Sequence, residues 1–178
     1  MGGLNAFVYA TTRPERVAAL GLIDVGPGVR IEGARRIGDF VRGTAEIESI
    51  DAFVEQALQF NPRRDRRLLR HSARHNLRQL PNGNWVRKHD TRHIGQIGID
   101  EFARRVEGSW ARADALTCPT LVVRGAESDV LTRDDAERFA ASLADGRFAE
   151  IAGAGHNVQG DNPRALIDTL RGFLSPLS

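Results

Sequence analysis

The chain has 178 residues, of which 41% are hydrophobic and 27% are charged, and its formal net charge is +2. This composition is sufficient for a packed core and excludes a wholly disordered chain, and the length suits one domain. No apolar run approaches the roughly 18 residues of a membrane span, and the single cysteine, Cys118, excludes an internal disulfide framework. These features predict a cytoplasmic protein.

The first part of the chain predicts a helix followed by a strand. Apolar residues at helical spacing indicate a helix over residues 1–12, which Pro14 ends. The mostly apolar run over residues 17–25 then predicts a buried strand.

The middle of the chain, residues 27–115, shows helical periodicity in pieces and lacks a convincing strand. Residues 61–93 within it carry ten Arg or Lys and two Asp, a net charge of +8. Such asymmetry suits either a polyanion contact or a solvated helix face, and we favour the solvated face. Two histidine pairs of this segment, His71/His75 and His89/His93, have a spacing that could bind a metal on a helix. Neither pair contains the glutamate of a zincin motif, so we expect no metal site.

The last third of the chain predicts alternating strands and helices. Short strands are indicated at residues 121–123 and 147–151. Thr132 is a good cap for the helix between them, and Asp161 or Asn162 can cap the final helix. This alternation argues for parallel βαβ units.

Asp129 and His156 are the candidate catalytic side chains. Both lie in loops that leave the carboxyl ends of predicted strands, where catalytic groups collect in open parallel sheets. Imidazole is a suitable base at neutral pH, and a carboxylate can hold it in the required tautomer. Asp24 is a further carboxylate at the end of a predicted strand, the first one. Taken singly, each of these residues is equally typical of a turn or surface position.

Three pieces of the sequence resemble the α/β-hydrolase family and stand in its order: Met1-Gly2-Gly3-Leu4-Asn5-Ala6, Gly125-Ala126-Glu127-Ser128-Asp129 and Gly153-Ala154-Gly155-His156-Asn157. In that family the serine of G-x-S-x-G comes first, then the acid, then the histidine. The resemblance implies an α/β fold, namely the C-terminal part of an α/β-hydrolase with about three parallel strands and flanking helices. Residues 1–26 and 116–178 would form this partial core, and residues 27–115 would form an inserted helical cap.

The resemblance also implies the roles of individual residues. His156 would be the base and Asp129 its orienting acid, with Asp24 as the alternative because some members place the acid after an earlier strand. Met1-Gly2 matches the two positions directly after the serine, so the backbone N–H of Met1 would supply half of the oxyanion hole. The serine itself is then expected immediately upstream of Met1. Trp85 lies in a segment that resembles part of the family's cap and is a candidate lining residue of the substrate cleft.

The implied function is hydrolysis of a small-molecule carboxylic ester or lactone by Ser-His-Asp chemistry. Carbon–carbon bond hydrolysis, epoxide opening and dehalogenation also remain open, because a fold does not set its chemistry. We expect no cofactor, and neither nucleic acid nor a membrane as a partner. The chain by itself is predicted to be inactive because the serine lies outside it. The alternative is a non-catalytic, truncated pseudo-enzyme or binding module whose basic cap contacts a polyanion.

Overall fold

The computed structural model describes residues 2–28, 30–43, 46–90, 104, 107–108 and 110–177. The chain forms two compact units, the first from residues 1–34 and 98–178 and the second from residues 35–97. The second unit is shorter at both ends than the 27–115 segment assigned to the cap from the sequence.

Seven α-helices and five strands are assigned within the described ranges. In chain order they are α1 Gly2–Thr12, β1 Leu20–Ile23, α2 Ile31–Arg42, α3 Ile50–Phe60, α4 Arg66–Asn76, β2 Leu77–Gln79, β3 Trp85–Arg87, β4 Thr120–Gly125, α5 Arg133–Ser142, β5 Gly146–Ile151, α6 Val158–Asp161 and α7 Pro163–Leu174. No helix in those ranges is long and apolar enough to cross a membrane.

The first unit contains a parallel sheet in the order β1-β4-β5. The central strand β4 is buried at every residue, as expected for a parallel strand covered on both faces. Leu20 is in register with Thr120 and Ile23 with Val123, so β1 and β4 begin side by side and β4 runs two residues further, to Gly125. This sheet and its flanking helices confirm the α/β class predicted from the sequence.

Alternate residues of the strands face two separate cores, because successive side chains in a strand point to opposite faces. Leu22 and Val122 pack with Phe7 of α1 and Phe139 of α5 on one face. On the other face, Leu121 and Val123 pack with Leu166 and Phe173 of α7. The helices therefore cover both faces of the sheet, and the connecting loops that leave the carboxyl ends of the strands stay outside these cores.

The helix caps follow the sequence closely. The Thr132 side chain accepts from the Asp135 N–H at the start of α5, as predicted. Of the two candidates for α7, Asn162 is the cap, because its side chain accepts from the Ala165 N–H. Asp161 instead accepts from the Gly155 N–H at 2.9 Å and so braces the loop after β5.

The second unit contains a short antiparallel hairpin, β2 with β3, where the sequence indicated no convincing strand. Each strand has only three residues, which is too short for a period-2 pattern to be recognised. Gly83, with a φ of +88°, allows the turn, and Trp85 also pairs with Ile47. Helices α3 and α4 pack on the apolar core of this unit, which includes Val54 and Leu69.

Candidate active site

Asp24 follows β1 directly and is completely buried. Its backbone N–H still donates to the Val123 carbonyl at 2.7 Å, as a further residue of the strand would. Its φ is +52°, a left-handed value that is uncommon for a residue other than glycine but is tolerated best by Asp and Asn. The chain therefore leaves the sheet sharply at Asp24, with the carboxylate held inside.

Three polar groups, from the end of β4 and from the loops after β4 and β5, meet the Asp24 carboxylate. The Gly125 N–H donates to Oδ1 at 3.0 Å, and the Ser128 hydroxyl donates to Oδ2 at 2.6 Å. The His156 Nδ1 lies 2.9 Å from the same Oδ2. A buried carboxylate needs such hydrogen bonds to offset its lost hydration, and bonds to an ionised acceptor are the stronger kind. The ends of β1, β4 and β5 thus converge on one side chain.

The His156 ring lies between this buried carboxylate and solvent, with 40% of the side chain exposed. Its Nδ1 faces Asp24, and no hydrogen bond or ion pair in the described part of the chain involves Nε2. The preceding loop is fixed at two points, where Asp161 accepts from the Gly155 N–H and where the Ala154 carbonyl accepts from the Glu127 N–H. Such a ring can accept a proton at Nε2 while Nδ1 stays on the carboxylate.

The structure shows which carboxylate lies at Nδ1 of His156. The sequence favoured Asp129 as its partner, but the carboxylate at Nδ1 is that of Asp24, the alternative acid. The turn after β4, closed by the Ser128 N–H on the Gly125 carbonyl, brings Ser128 rather than the next residue onto Asp24. The backbone of Asp129 instead approaches Gly33 so closely that a Cβ there would lie 2.9 Å from the Asp129 carbonyl carbon.

A buried arginine that the sequence did not single out holds the loop after β4. Arg124 donates to the carbonyls of Leu131, Ala126 and Ser128 at 2.8, 3.0 and 3.2 Å. It also forms an ion pair with Glu150 of β5 at 2.7 Å. The only signal in the sequence was a charged residue within an apolar strand, which is uncommon unless the charge is paired. Arg124 therefore fixes the loop that presents Gly125 and Ser128 to Asp24.

The other residues named from the sequence lie elsewhere. Met1, the expected oxyanion-hole donor, lies outside the described residues. Trp85 is half-buried in β3 and packs against the core of the second unit, so its role as a cleft-lining residue stays a prediction. Within the described ranges, no group of three or more His, Cys, Asp or Glu side chains is arranged to hold a metal ion.

Comparison with known proteins identifies the family. Residues 1–163 match the family described as "Serine aminopeptidase, S33". Esterase Rv0045c of Mycobacterium tuberculosis is 35% identical over 181 residues, which cover 98% of this chain and 58% of that protein. The crystal structure of the same esterase aligns with a TM-score of 0.73 at 33% identity, over 97% of this chain and 57% of that one. The chain therefore belongs to the α/β-hydrolase superfamily, as its sequence motifs predicted.

A more distant structure supports the fold alone. The crystal structure of E-2-(acetamidomethylene)succinate hydrolase aligns with a TM-score of 0.80 at 20% identity, over 98% of this chain and 63% of that one. The present chain spans little more than half the length of the esterase Rv0045c, the curated relative described above.

Proposed function

We propose that this chain carries the base and the acid of a serine hydrolase that acts on small carboxylic esters, with His156 as the base and Asp24 as the acid. The contact between Asp24 Oδ2 and His156 Nδ1, at 2.9 Å, carries the proposal. The substrate class rests on the likeness to a protein named an esterase, and lactones share the same acyl chemistry. Asp129 has less support as the acid, because another carboxylate already occupies Nδ1.

In the proposed mechanism, Nε2 of His156 takes the proton of a serine hydroxyl as its oxygen attacks the ester carbonyl. The tetrahedral intermediate collapses when the imidazolium returns that proton to the departing alcohol, which leaves an acyl-serine. Water, deprotonated by the same Nε2, then attacks the acyl group and releases the acid and the serine. Asp24 stays ionised throughout and stabilises the positive charge on the ring.

The attacking serine is proposed to lie outside the printed sequence. Ser128 is unsuitable, because its hydroxyl lies on the acid at 2.6 Å, next to Nδ1 rather than at Nε2. The family places its nucleophile in G-x-S-x-G, and Met1-Gly2 matches the positions just after that serine. The backbone N–H of Met1 would then supply one of the two donors of the oxyanion hole.

The decisive experiment compares the two acids in a polypeptide that includes the proposed serine. The DNA upstream of codon 1 is read for an in-frame Gly-x-Ser, and the longer polypeptide is assayed with 4-nitrophenyl butyrate. Asp24→Asn should lower kcat by about 10⁴-fold, because the amide stabilises the wrong imidazole tautomer, and His156→Ala should lower it at least as much. Asp129→Asn, the matched control, should change kcat by less than about threefold.

The opposite ranking of the two acid variants would return the role to Asp129. Full activity of His156→Ala would refute the proposed hydrolase mechanism altogether. The 178-residue chain alone should show no turnover, so hydrolysis by it that His156→Ala abolishes would contradict the assignment of an outside serine.

A polyanion-binding role for the basic segment has less support in the structure. Arg66 forms an ion pair with Glu55, and Arg70 forms one with Asp51, so acids of α3 already neutralise part of the charge of α4. Binding of a polyanion would weaken steeply with added salt, and the absence of such binding at low salt would exclude this alternative.

A further inference from the structure

The Ser128 hydroxyl has only one direction left for its proton. Its oxygen accepts from the Val130 N–H at 3.1 Å and from the Leu131 N–H at 3.4 Å. A hydroxyl has two acceptor sites and a single proton, so both acceptor sites are occupied by backbone donors. The hydroxyl must then donate its proton to Asp24 Oδ2, 2.6 Å away.

With an ionised Asp24, this direction also determines the tautomer of the imidazole. Asp24 receives a proton donor at each oxygen, from Gly125 on Oδ1 and from Ser128 on Oδ2. An ionised carboxylate only accepts hydrogen bonds, so the remaining bond on Oδ2 must be donated by the ring. The neutral His156 ring therefore carries its proton on Nδ1, which leaves Nε2 as the unprotonated nitrogen.

The placement of Ser128 is itself rigid. The Arg124 side chain donates to the Ser128 carbonyl, and the Ser128 N–H donates to the Gly125 carbonyl at 2.9 Å. The residue is thus held at both ends of its backbone while its side chain reaches across from the loop after β4 to the end of β1. A serine that only closed a turn would need the two backbone bonds to its oxygen, but not the bond to Asp24.

We propose that Ser128 is a positioning residue that sets the orientation of the Asp24 carboxylate and thereby the tautomer of His156. The effect on turnover rests on the hydrolase function proposed above, whereas the effect on the tautomer does not.

The test is ¹⁵N NMR of the imidazole nitrogens in the 178-residue chain, at about pH 9, where an ordinary imidazole is neutral. In the parent chain, the His156 signals should show a protonated Nδ1 and an unprotonated Nε2. Ser128→Ala should move both nitrogens towards the averaged shifts of a free imidazole, and Ser128→Thr, which keeps the hydroxyl, should restore them. Ser142→Ala is the matched control, because that hydroxyl donates to the Phe139 carbonyl in the same unit and should leave His156 unchanged.

Signals of His156 in Ser128→Ala that equal those of the parent chain would overturn the proposal. Should circular dichroism show that Ser128→Ala is unfolded, Ser128→Cys replaces it, because a thiol keeps the volume but is a weak donor. Parent-like His156 signals in that variant would overturn the proposal in the same way.

Turnover of the longer polypeptide separates this inference from the proposed function. Ser128→Ala should lower kcat about tenfold with little change in KM, the factor expected for one hydrogen bond of ordinary strength. A changed tautomer without any His156-dependent turnover would refute the hydrolase function and leave the role of Ser128 intact. His156-dependent turnover with an unchanged tautomer in Ser128→Ala would refute the role of Ser128 alone.

Discussion

At the scale of single residues, the candidate site depends on close backbone approach as much as on its charged groups. Gly125 donates its N–H to Asp24 and at the same time lies against the loop that carries His156. A Cβ at Gly125 would lie 2.6 Å from the Ala154 carbonyl oxygen and would also meet the Gly155 carbonyl. Only glycine allows this close approach, so the position joins Asp24 to the loop of His156 through the main chain.

Gly125→Ala should destabilise the first unit by about 2–3 kcal/mol, because the added methyl forces backbone atoms apart. Urea unfolding followed by the fluorescence of Trp110, in a Trp85→Phe background, measures this unit alone. Gly172→Ala is the control, since a Cβ there meets nothing within 4 Å and lies within α7. That variant should gain about 0.5–1 kcal/mol, and an equal loss in both variants would contradict the proposed clash.

At the scale of elements, buried and exposed ion pairs serve different purposes. Arg124 joins β4, its outgoing loop and β5 through four hydrogen bonds, and its side chain is only 11% exposed. In the second unit, the pairs that link α3 to α4 lie at the surface, where solvent screens them. The buried arginine therefore supports the site, whereas the surface pairs mainly orient two helices.

Arg124→Met should lower the free energy of unfolding of the first unit by about 3 kcal/mol. The change leaves three carbonyls without their donor and removes one cation from Glu150, in a place where little water can replace it. Arg138→Met removes a surface pair with Asp135 and should cost less than about 1 kcal/mol. Losses of equal size in the same urea experiment would show that Arg124 is not a buried support.

The pair between Glu55 and Arg66 should be sensitive to acid. The hydrogen bond from Arg66 holds the pKa of Glu55 below its ordinary value of 4.5. A lowered folded-state pKa stabilises the protein above the ordinary value, and that stabilisation disappears as the pH falls through the lowered one. The difference in free energy of unfolding between Glu55→Gln and the parent chain should therefore be present at pH 7 and disappear as the pH falls below 4.5 and through the lowered pKa of Glu55.

Fluorescence of Trp85 in a Trp110→Phe background follows urea unfolding of the second unit for this comparison. Glu48→Gln, at an exposed position, is the control and should show no such dependence. A difference for Glu55→Gln that persists unchanged to pH 3 would contradict the assigned cause.

At the scale of the whole molecule, each unit has its own apolar core, and no strand among the described residues pairs with the outer side of β1 in the first unit. Among the described strands, β1 pairs with β4 only. The N–H groups of Leu20 and Asp24 face β4, so by alternation the N–H of Gly21 points to the open side. An apolar edge of this kind is a template for association with another chain.

Gly21→Pro should reduce self-association of the 178-residue chain. Proline removes a donor from the open edge and is tolerated in edge strands, and Gly21 has room because a Cβ there would lie 3.7 Å from Leu170. Sedimentation velocity over a range of concentrations measures the effect, with Gly21→Ala as the control that keeps the donor. Equal association of the two variants would show that this edge is not the contact surface.

Much of the fold was predictable from the sequence because the signals are local. The caps Thr132 and Asn162, the buried strand β4 and the helix α1 each follow from residues that lie within a few positions of one another. The hairpin of the second unit was missed because three-residue strands carry too little pattern. β1 starts at Leu20 rather than at residue 17, because residues 17–19 connect it to a 3₁₀ turn over Pro14–Arg16 and are not in the strand.

By itself, the sequence determined the class of fold, the family and the presence of a histidine and two candidate acids at the ends of strands. Only the tertiary structure decided that Asp24 faces His156, because the two residues lie 132 positions apart and meet only when β1 pairs beside β4. The same holds for Ser128 and Arg124, whose roles depend on the path of the loop between them. Helix and strand signals depend on residues close together in the sequence, whereas the carboxylate that meets His156 depends on which strands become neighbours.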